Sequence, residues 1–154
     1  MRTIAVVLGV WAFLLTALPA AAQNKVPPDR PLEALVKATL LTFNDANVTG
    51  NYEVFHAKAA RPFRDQFTPE KLKTTFGEFS KNRIDFDIVA AMTPVYVPKP
   101  VVDSDGKLVV KGYFPTEPSR VNFELEFIPS DGEWKMIRIY VKTEPRAEPK
   151  NEKN

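Results

Sequence analysis

Three polar side chains in the first half of the chain could carry out acid–base chemistry. His56 is the only histidine of the sequence, and Tyr52 lies one helical turn before it. Asp45 follows the apolar residues that recur at helical spacing between Leu32 and Phe43. Because an imidazole titrates near neutral pH, a pocket holding two of these groups would suit a cofactor-free isomerase, dehydratase or hydrolase. The alternative is a partly exposed helix histidine beside an aromatic side chain. The sequence favours this alternative, because no catalytic motif surrounds His56.

The composition excludes several other kinds of chemistry. The 154 residues include no cysteine and one histidine, which removes disulfides, thiol nucleophiles, iron–sulfur clusters and zinc sites built from nitrogen and sulfur ligands. Lysine and arginine total 21 against 19 acidic residues, whereas nucleic-acid binding needs concentrated positive charge. The segment Asp103–Lys107 lacks two ligand positions of a calcium loop and is interpreted as a turn. We therefore expect no cofactor, no metal and no nucleic-acid partner.

Aromatic side chains are concentrated in the half of the chain that is predicted to be helical. Packing against a sheet explains most of them, but a sheet that curves away from the helices would leave some of them around a pocket for a small apolar ligand. The residues predicted to line such a pocket are Phe43, Tyr52, Phe55, Phe63 and Phe67.

The N-terminal segment has the pattern of a secretory signal peptide. Arg2 precedes the apolar run Ile4–Leu18, and a proline and three alanines follow it. A signal peptide of residues 1–22, cleaved after Ala22, predicts a periplasmic or secreted protein that has no membrane contact after cleavage. The alternative is an uncleaved anchor, because the apolar stretch approaches the roughly 20 residues that span a bilayer.

The rest of the chain is predicted to form one domain. Residues 23–30 are a polar leader that is expected to be flexible, and residues 31–143 form a single α+β domain. Residues 144–154 contain no large apolar side chain and are expected to be a disordered charged tail.

Helical spacing of apolar residues predicts three helices in the first part of this domain. The first begins near Asp29 and stops at residues 47–50, and the second runs from Asn51 to about Ala60, where Pro62 bars its continuation. The third begins at Thr68-Pro69-Glu70, where threonine caps the helix and proline takes its first position.

Strand-like patterns follow from Ile84 onward. The segment Thr93–Val102 carries prolines at three positions of the same parity, which is typical of an edge strand. Two Ser-Asp-Gly tripeptides, at 104–106 and 130–132, predict hairpins with three-residue loops that end in a left-handed glycine. The first of these loops pairs Val102 with Leu108.

The second predicted loop opposes Leu125 to Ile137 and Glu124 to Arg138. One face of this hairpin would then be apolar and would receive the helices. The opposite face would carry a group of side chains enriched in homodimer interfaces, namely Trp134, Met136, Arg138 and Tyr140.

The closing segment Asp131–Ile137 (DGEWKMI) ends this order of helices and strands. Together with Gly112–Thr116 (GYFPT) and Val121–Phe123, it resembles nuclear-transport-factor-2-like (cystatin-like α+β) domains, including uncharacterised secreted bacterial proteins of that type. The resemblance covers about residues 31–143. It implies a cone-shaped fold in which N-terminal helices and a curved antiparallel sheet enclose a pocket, often in homodimers. It implies no particular activity, because this fold hosts many functions.

These patterns favour a non-catalytic, exported α+β protein that binds a small apolar ligand or a protein partner. A small pocket enzyme that uses His56, Tyr52 or Asp45 is one alternative, and a structural homodimer is another. Two of these three polar groups meeting inside an apolar cavity would favour the enzyme. Polar groups that point to solvent or cap helices would argue against it.

Overall fold

The structure, a computed structural model, describes residues 24–145. A long helix is the first α-helix of this part of the chain. Helix α1 spans Asp29–Thr49 and ends at Gly50, whose φ of 71° is left-handed and stops the helix. One side of α1 is fully buried, at Leu32, Val36, Leu40 and Phe43. The predicted end of this helix is confirmed, and its start agrees with the helical pattern although it lies inside the predicted leader.

In the described part of the chain, four shorter α-helices and a 3₁₀ helix follow α1. They are α2 (Glu53–Lys58), α3 (Arg61–Gln66), α4 (Pro69–Thr75), α5 (Gly77–Lys81) and the 3₁₀ helix Asp87–Ala91. The predicted cap of α4 is confirmed, because the Thr68 hydroxyl accepts a hydrogen bond of 3.2 Å from the Lys71 N–H. Helix α3, the break between α4 and α5, and the 3₁₀ helix were not predicted. Pro62 does bar α2 from continuing, but a proline in the first turn is also compatible with the start of a new helix.

Within residues 24–145, five strands form one antiparallel sheet. They are β1 (Val95–Tyr96), β2 (Val101–Val102), β3 (Leu108–Phe114), β4 (Ser119–Ser130) and β5 (Glu133–Pro145). Both short strands pair with β3, which pairs with β4, which pairs with β5. The predicted α+β class, with N-terminal helices and an antiparallel sheet, is confirmed.

The predicted edge strand is present but interrupted. Val97 still donates its N–H to the Lys111 carbonyl at 3.0 Å, and pairing resumes at Val101. Three residues, 98–100, separate these two points and include two prolines, which have no N–H to give to the sheet. The prolines therefore divide the edge into two short strands.

The two Ser-Asp-Gly turns fold differently. In the first, Val102 pairs with Leu108 as predicted, and Gly106 has a φ of 76°. In the second, Asp131 and Gly132 both have positive φ, and Ser130 pairs directly with Glu133. The second loop thus contains two residues, which is the combination that a type I′ hairpin turn requires.

The predicted register of the second hairpin is wrong by two residues. The shorter loop shifts the register by one residue, and a β-bulge at Ile137, between the pairs of Phe127 and Glu126, shifts it by one more. Leu125 therefore pairs with Ile139 rather than Ile137. Arg138 lies opposite Glu126, where its Nη1 is 3.0 Å from the carboxylate, and not opposite Glu124.

The predicted faces of β5 are wrong for the residues between the turn and the bulge. Met136 is 4 % exposed and belongs to the core, and Trp134 packs against that core, so both lie on the side of the sheet that faces the helices. Arg138 and Tyr140 are exposed on the opposite side. The four residues predicted as a homodimer interface therefore do not share one face of the sheet.

The helices cover the apolar face of the sheet. Val121, Phe123 and Leu125 are each buried in the same core as Leu40 and Phe43 of α1. This packing is the enclosure expected from the apolar patterns of the two halves of the chain.

Two predicted boundaries differ from the structure, and two predicted segments lie wholly or mostly outside it. Helix α1 begins at Asp29, inside the predicted leader, and β5 continues to Pro145, inside the predicted tail. The signal peptide predicted for residues 1–22 lies outside the described residues, as do residues 146–154 of the predicted tail. Within residues 24–145, no helix combines the length and the apolar character needed to cross a membrane.

Candidate functional site

Tyr52 is buried and tied to the end of α1. Its hydroxyl donates a hydrogen bond to the Asn47 side-chain oxygen, and the Asn47 amide in turn donates to the Phe43 carbonyl at 2.9 Å. Burial raises the pKa of Tyr52 to about 12, because removing water disfavours the charged phenolate. A phenol in this environment stays protonated and joins two helices.

Among residues 24–145, the side chains of the other two candidates for acid–base chemistry form no hydrogen bond with the Tyr52 side chain. The Nε2 of His56 is 3.3 Å from the Arg64 carbonyl, so the imidazole joins α2 to α3. The Arg64 guanidinium turns back to the Ala59 carbonyl. Asp45 is exposed on α1. The acid–base pair that would have favoured an enzyme is therefore not formed by these three residues.

Most of the aromatic side chains predicted to line a pocket pack against one another instead. Phe43 is fully buried, and its ring centroid lies within 6.4 Å of four other rings, those of Phe55, Phe76, Phe79 and Phe86. Phe63 similarly packs between Phe55 and Phe67. We call this the aromatic layer, defined by the rings of residues 43, 52, 55, 63, 67, 76, 79 and 86.

A groove opens beside this layer, between α1 and the β4–β5 hairpin. Its volume is about 260 Å³. Seven apolar residues line it, contributed by α1, α2, the segment after α2, and the hairpin: Leu35, Ala38, Phe55, Ala59, Phe127, Trp134 and Met136. We call this space the Trp134 groove. Of the five predicted pocket residues, Phe55 is the one that contacts it.

The polar groups around the Trp134 groove are few, and most already have partners. The hydroxyl groups of Thr39 and Thr42 donate to carbonyls of α1 itself, at 2.9 and 2.7 Å. Lys58 lies at one end, with its Nζ 3.3 Å from the Thr42 hydroxyl oxygen. Glu133 lies at the hairpin end, where its carboxylate is 3.9 Å from the Lys135 Nζ.

Shallower depressions continue the groove in both directions along α1. One, of about 390 Å³, shares Leu35, Glu133 and Trp134 with the groove and adds Pro27 and Pro31. The other, of about 240 Å³, shares Thr42, Phe55 and Lys58 and extends to Asp45 and Val54. One side of α1 therefore lies open to solvent over most of its length.

Ion pairs cover the opposite face of the sheet. Lys111 and Glu124 approach to 2.9 Å, Arg138 and Glu126 to 3.0 Å, and Lys142 and Glu144 to 2.7 Å. Tyr140 is 49 % exposed among them. This face offers compensated charges, whereas the Trp134 groove offers apolar surface.

Alternation along β5 does not reveal the groove, because it places Trp134 and Met136 on the wrong face. A bulge adds one residue to one strand, and no residue type at Ile137 marks its position in the sequence. The charges could not reveal the shift either, because Glu124 and Glu126 are both acidic and Arg138 can pair with one or the other.

Neither metals nor known relatives add to this geometry. Among residues 24–145, no group of three or more histidine, aspartate or glutamate side chains is placed to hold a metal ion. Comparisons with protein-family models, with curated proteins and with solved structures found no significant match.

Proposed function

We propose that this chain is an exported, non-catalytic binding protein whose Trp134 groove takes a small apolar ligand. The observation that carries the proposal is the half-open apolar groove, whose lining includes a partly exposed tryptophan beside Leu35 and Met136. Its volume of about 260 Å³ lies just below the usual range for ligand pockets, which is roughly 300–1,000 Å³. The ligand is therefore small.

We further propose that the domain is of the nuclear-transport-factor-2-like type. The order of elements supports this proposal, because helices precede an antiparallel sheet and cover one of its faces. A cavity between the first helix and the sheet is what the resemblance implies for such a cone-shaped domain. The fold by itself selects no activity, so the binding proposal rests on the groove.

A filling substitution tests the binding proposal without disturbing the core. Trp11→Phe leaves Trp134 as the only tryptophan of the chain, so its fluorescence reports on the groove. We expect 1-octanol to change this fluorescence in a saturable way. Ala38→Phe, on the exposed helix position that lines the groove, should abolish the change. Ala57→Phe, on an exposed position of α2 outside the groove lining, is the matched control and should leave it intact. Equal binding by both variants would contradict the proposal.

A further inference from the structure

We propose that the ligand of the Trp134 groove is an amphiphile with an anionic head, a medium-chain carboxylate in its simplest form, whose head binds Lys58. This inference rests on the proposed function and names the class of ligand. The carrying observation is the charge at the two ends of the groove, which is positive at Lys58 and negative at Glu133.

Lys58 is an exposed cation with hydrogen-bonding capacity to spare. Its Nζ contacts the Thr42 hydroxyl oxygen at 3.3 Å, and no carboxylate of the described residues lies within ion-pair distance of it. An ammonium group carries three N–H donors, so two remain for a ligand. The Thr42 hydroxyl already donates to the Ala38 carbonyl and can only accept from Lys58, which holds the ammonium at the groove.

The surrounding charges fix the direction of the ligand. Asp45 lines the depression beyond Lys58 but forms no ion pair with it among the described residues. Glu133, at the hairpin end, would repel an anionic head placed there, and its partner Lys135 already offsets part of its charge. An anionic head is therefore favoured at the Lys58 end, with the apolar chain directed past Phe55 and Met136 toward Trp134.

The volume of the groove sets the length of the chain. A methylene group occupies about the volume of a liquid water molecule, ~30 Å³. A half-open groove of about 260 Å³ therefore suits a chain on the order of eight carbons long. Longer chains would extend into the depression lined by Pro27 and Pro31.

Three eight-carbon probes with different heads test the proposal: octanoate, 1-octanol and octylammonium. Each is titrated into the Trp11→Phe chain near neutral pH, with Trp134 fluorescence as the readout. We expect octanoate to bind about tenfold more tightly than 1-octanol, since charge-assisted hydrogen bonds are stronger than neutral ones. Octylammonium should bind more weakly than 1-octanol, because Lys58 repels it.

Substitutions of Lys58 distinguish the contribution of the charged head to the affinity from that of the apolar chain. Lys58→Met keeps an unbranched side chain and should weaken octanoate about tenfold while leaving 1-octanol unchanged. Lys58→Arg should retain most of the octanoate affinity. Lys99→Met removes one positive charge at a residue outside the groove lining and serves as the control for net charge.

The two proposals fail in different ways. If 1-octanol and octanoate bind equally well, or if Lys58→Met leaves octanoate binding unchanged, the anionic head is wrong and the apolar binding site stands. If none of the three probes changes the fluorescence of Trp134, both proposals are overturned.

Discussion

The two sides of helix α1 differ in how completely they are covered. On one side, Phe43 is sealed beneath four other aromatic rings, and Asn47 exchanges hydrogen bonds with Tyr52 and the helix backbone. On the other side, Leu35 and Ala38 face a groove that solvent can enter. Helix α1 thus packs against aromatic side chains on one side and borders a groove open to solvent on the other.

This difference separates residues that maintain the fold from residues that can recognise a ligand. Apolar surface that is already buried against protein cannot contribute to ligand binding, because no further surface is removed from water. Partly exposed apolar surface does contribute, because a ligand displaces the water that covers it. We therefore expect substitutions in the aromatic layer to reduce stability and substitutions in the groove to reduce binding.

Phe43→Ala should have the largest effect on the free energy of unfolding. The side chain is fully buried and touches rings from three segments, so its removal leaves a cavity. We expect a loss of about 3–5 kcal/mol in urea unfolding. A loss below about 1 kcal/mol would show that the aromatic layer collapses around the missing ring, and the comparison between the two sides of α1 would fail.

Two tyrosine substitutions should differ from each other. Tyr52→Phe leaves the buried Asn47 side-chain oxygen without its donor and should cost about 1–3 kcal/mol of unfolding free energy. Tyr96→Phe is the matched control, because the buried Tyr96 hydroxyl has no hydrogen-bond partner among the described residues. Its removal should leave stability unchanged or raise it. Equal losses in urea unfolding would contradict the role assigned to the Tyr52 hydrogen bond.

The same two phenols predict a loss of stability at high pH. Burial raises the pKa of Tyr52 and of Tyr96 to about 12, whereas an unfolded tyrosine titrates near 10. The folded protein retains these two protons to a higher pH than the unfolded chain does. The stability that the two phenols contribute is therefore complete below pH 10 and is lost as the pH rises toward 12. Urea unfolding at several pH values measures this slope. The double variant Tyr52→Phe, Tyr96→Phe should show a smaller slope, and an unchanged slope would contradict the account.

Trp134→Ala should have a smaller effect on stability than Phe43→Ala and a large effect on binding. Trp134 is only partly buried, so we expect its removal to cost about 1–2 kcal/mol, less than that of a fully buried ring. Calorimetric binding of 1-octanol should fall at least tenfold. Tyr140→Ala, an exposed aromatic residue on the opposite face, is the control and should leave binding unchanged. Equal effects of the two substitutions on binding would show that 1-octanol does not bind specifically in the Trp134 groove.

Local chemistry explains which features the sequence could predict. At the first Ser-Asp-Gly turn, the Asp103 carboxylate accepts hydrogen bonds from the N–H groups of Asp105 and Lys107, both at 2.9 Å. This side chain precedes the tripeptide and favours the predicted three-residue loop. At the second turn, Pro129 holds the corresponding position and has no acceptor side chain to offer. The same tripeptide therefore forms a shorter loop there.

The groove depends on long-range geometry that the sequence does not display. The apolar positions of α1 and the alternation of β4 predicted which faces meet, and Leu40 and Phe123 do share a core. The bulge at Ile137, in contrast, turns Met136 and Trp134 toward the helices. Bulges depend on how two strands pair over many residues, so alternation in one strand cannot locate them.

Methyl and indole NMR during a titration with 1-octanol shows where the ligand binds. Binding in the Trp134 groove should cause saturable chemical-shift changes at Leu35, Met136 and the indole of Trp134, with little change at Val110 in the buried core. Changes centred on Tyr140 and the ion-paired face of the sheet, or no saturable change at all, would rule out the Trp134 groove as the binding site.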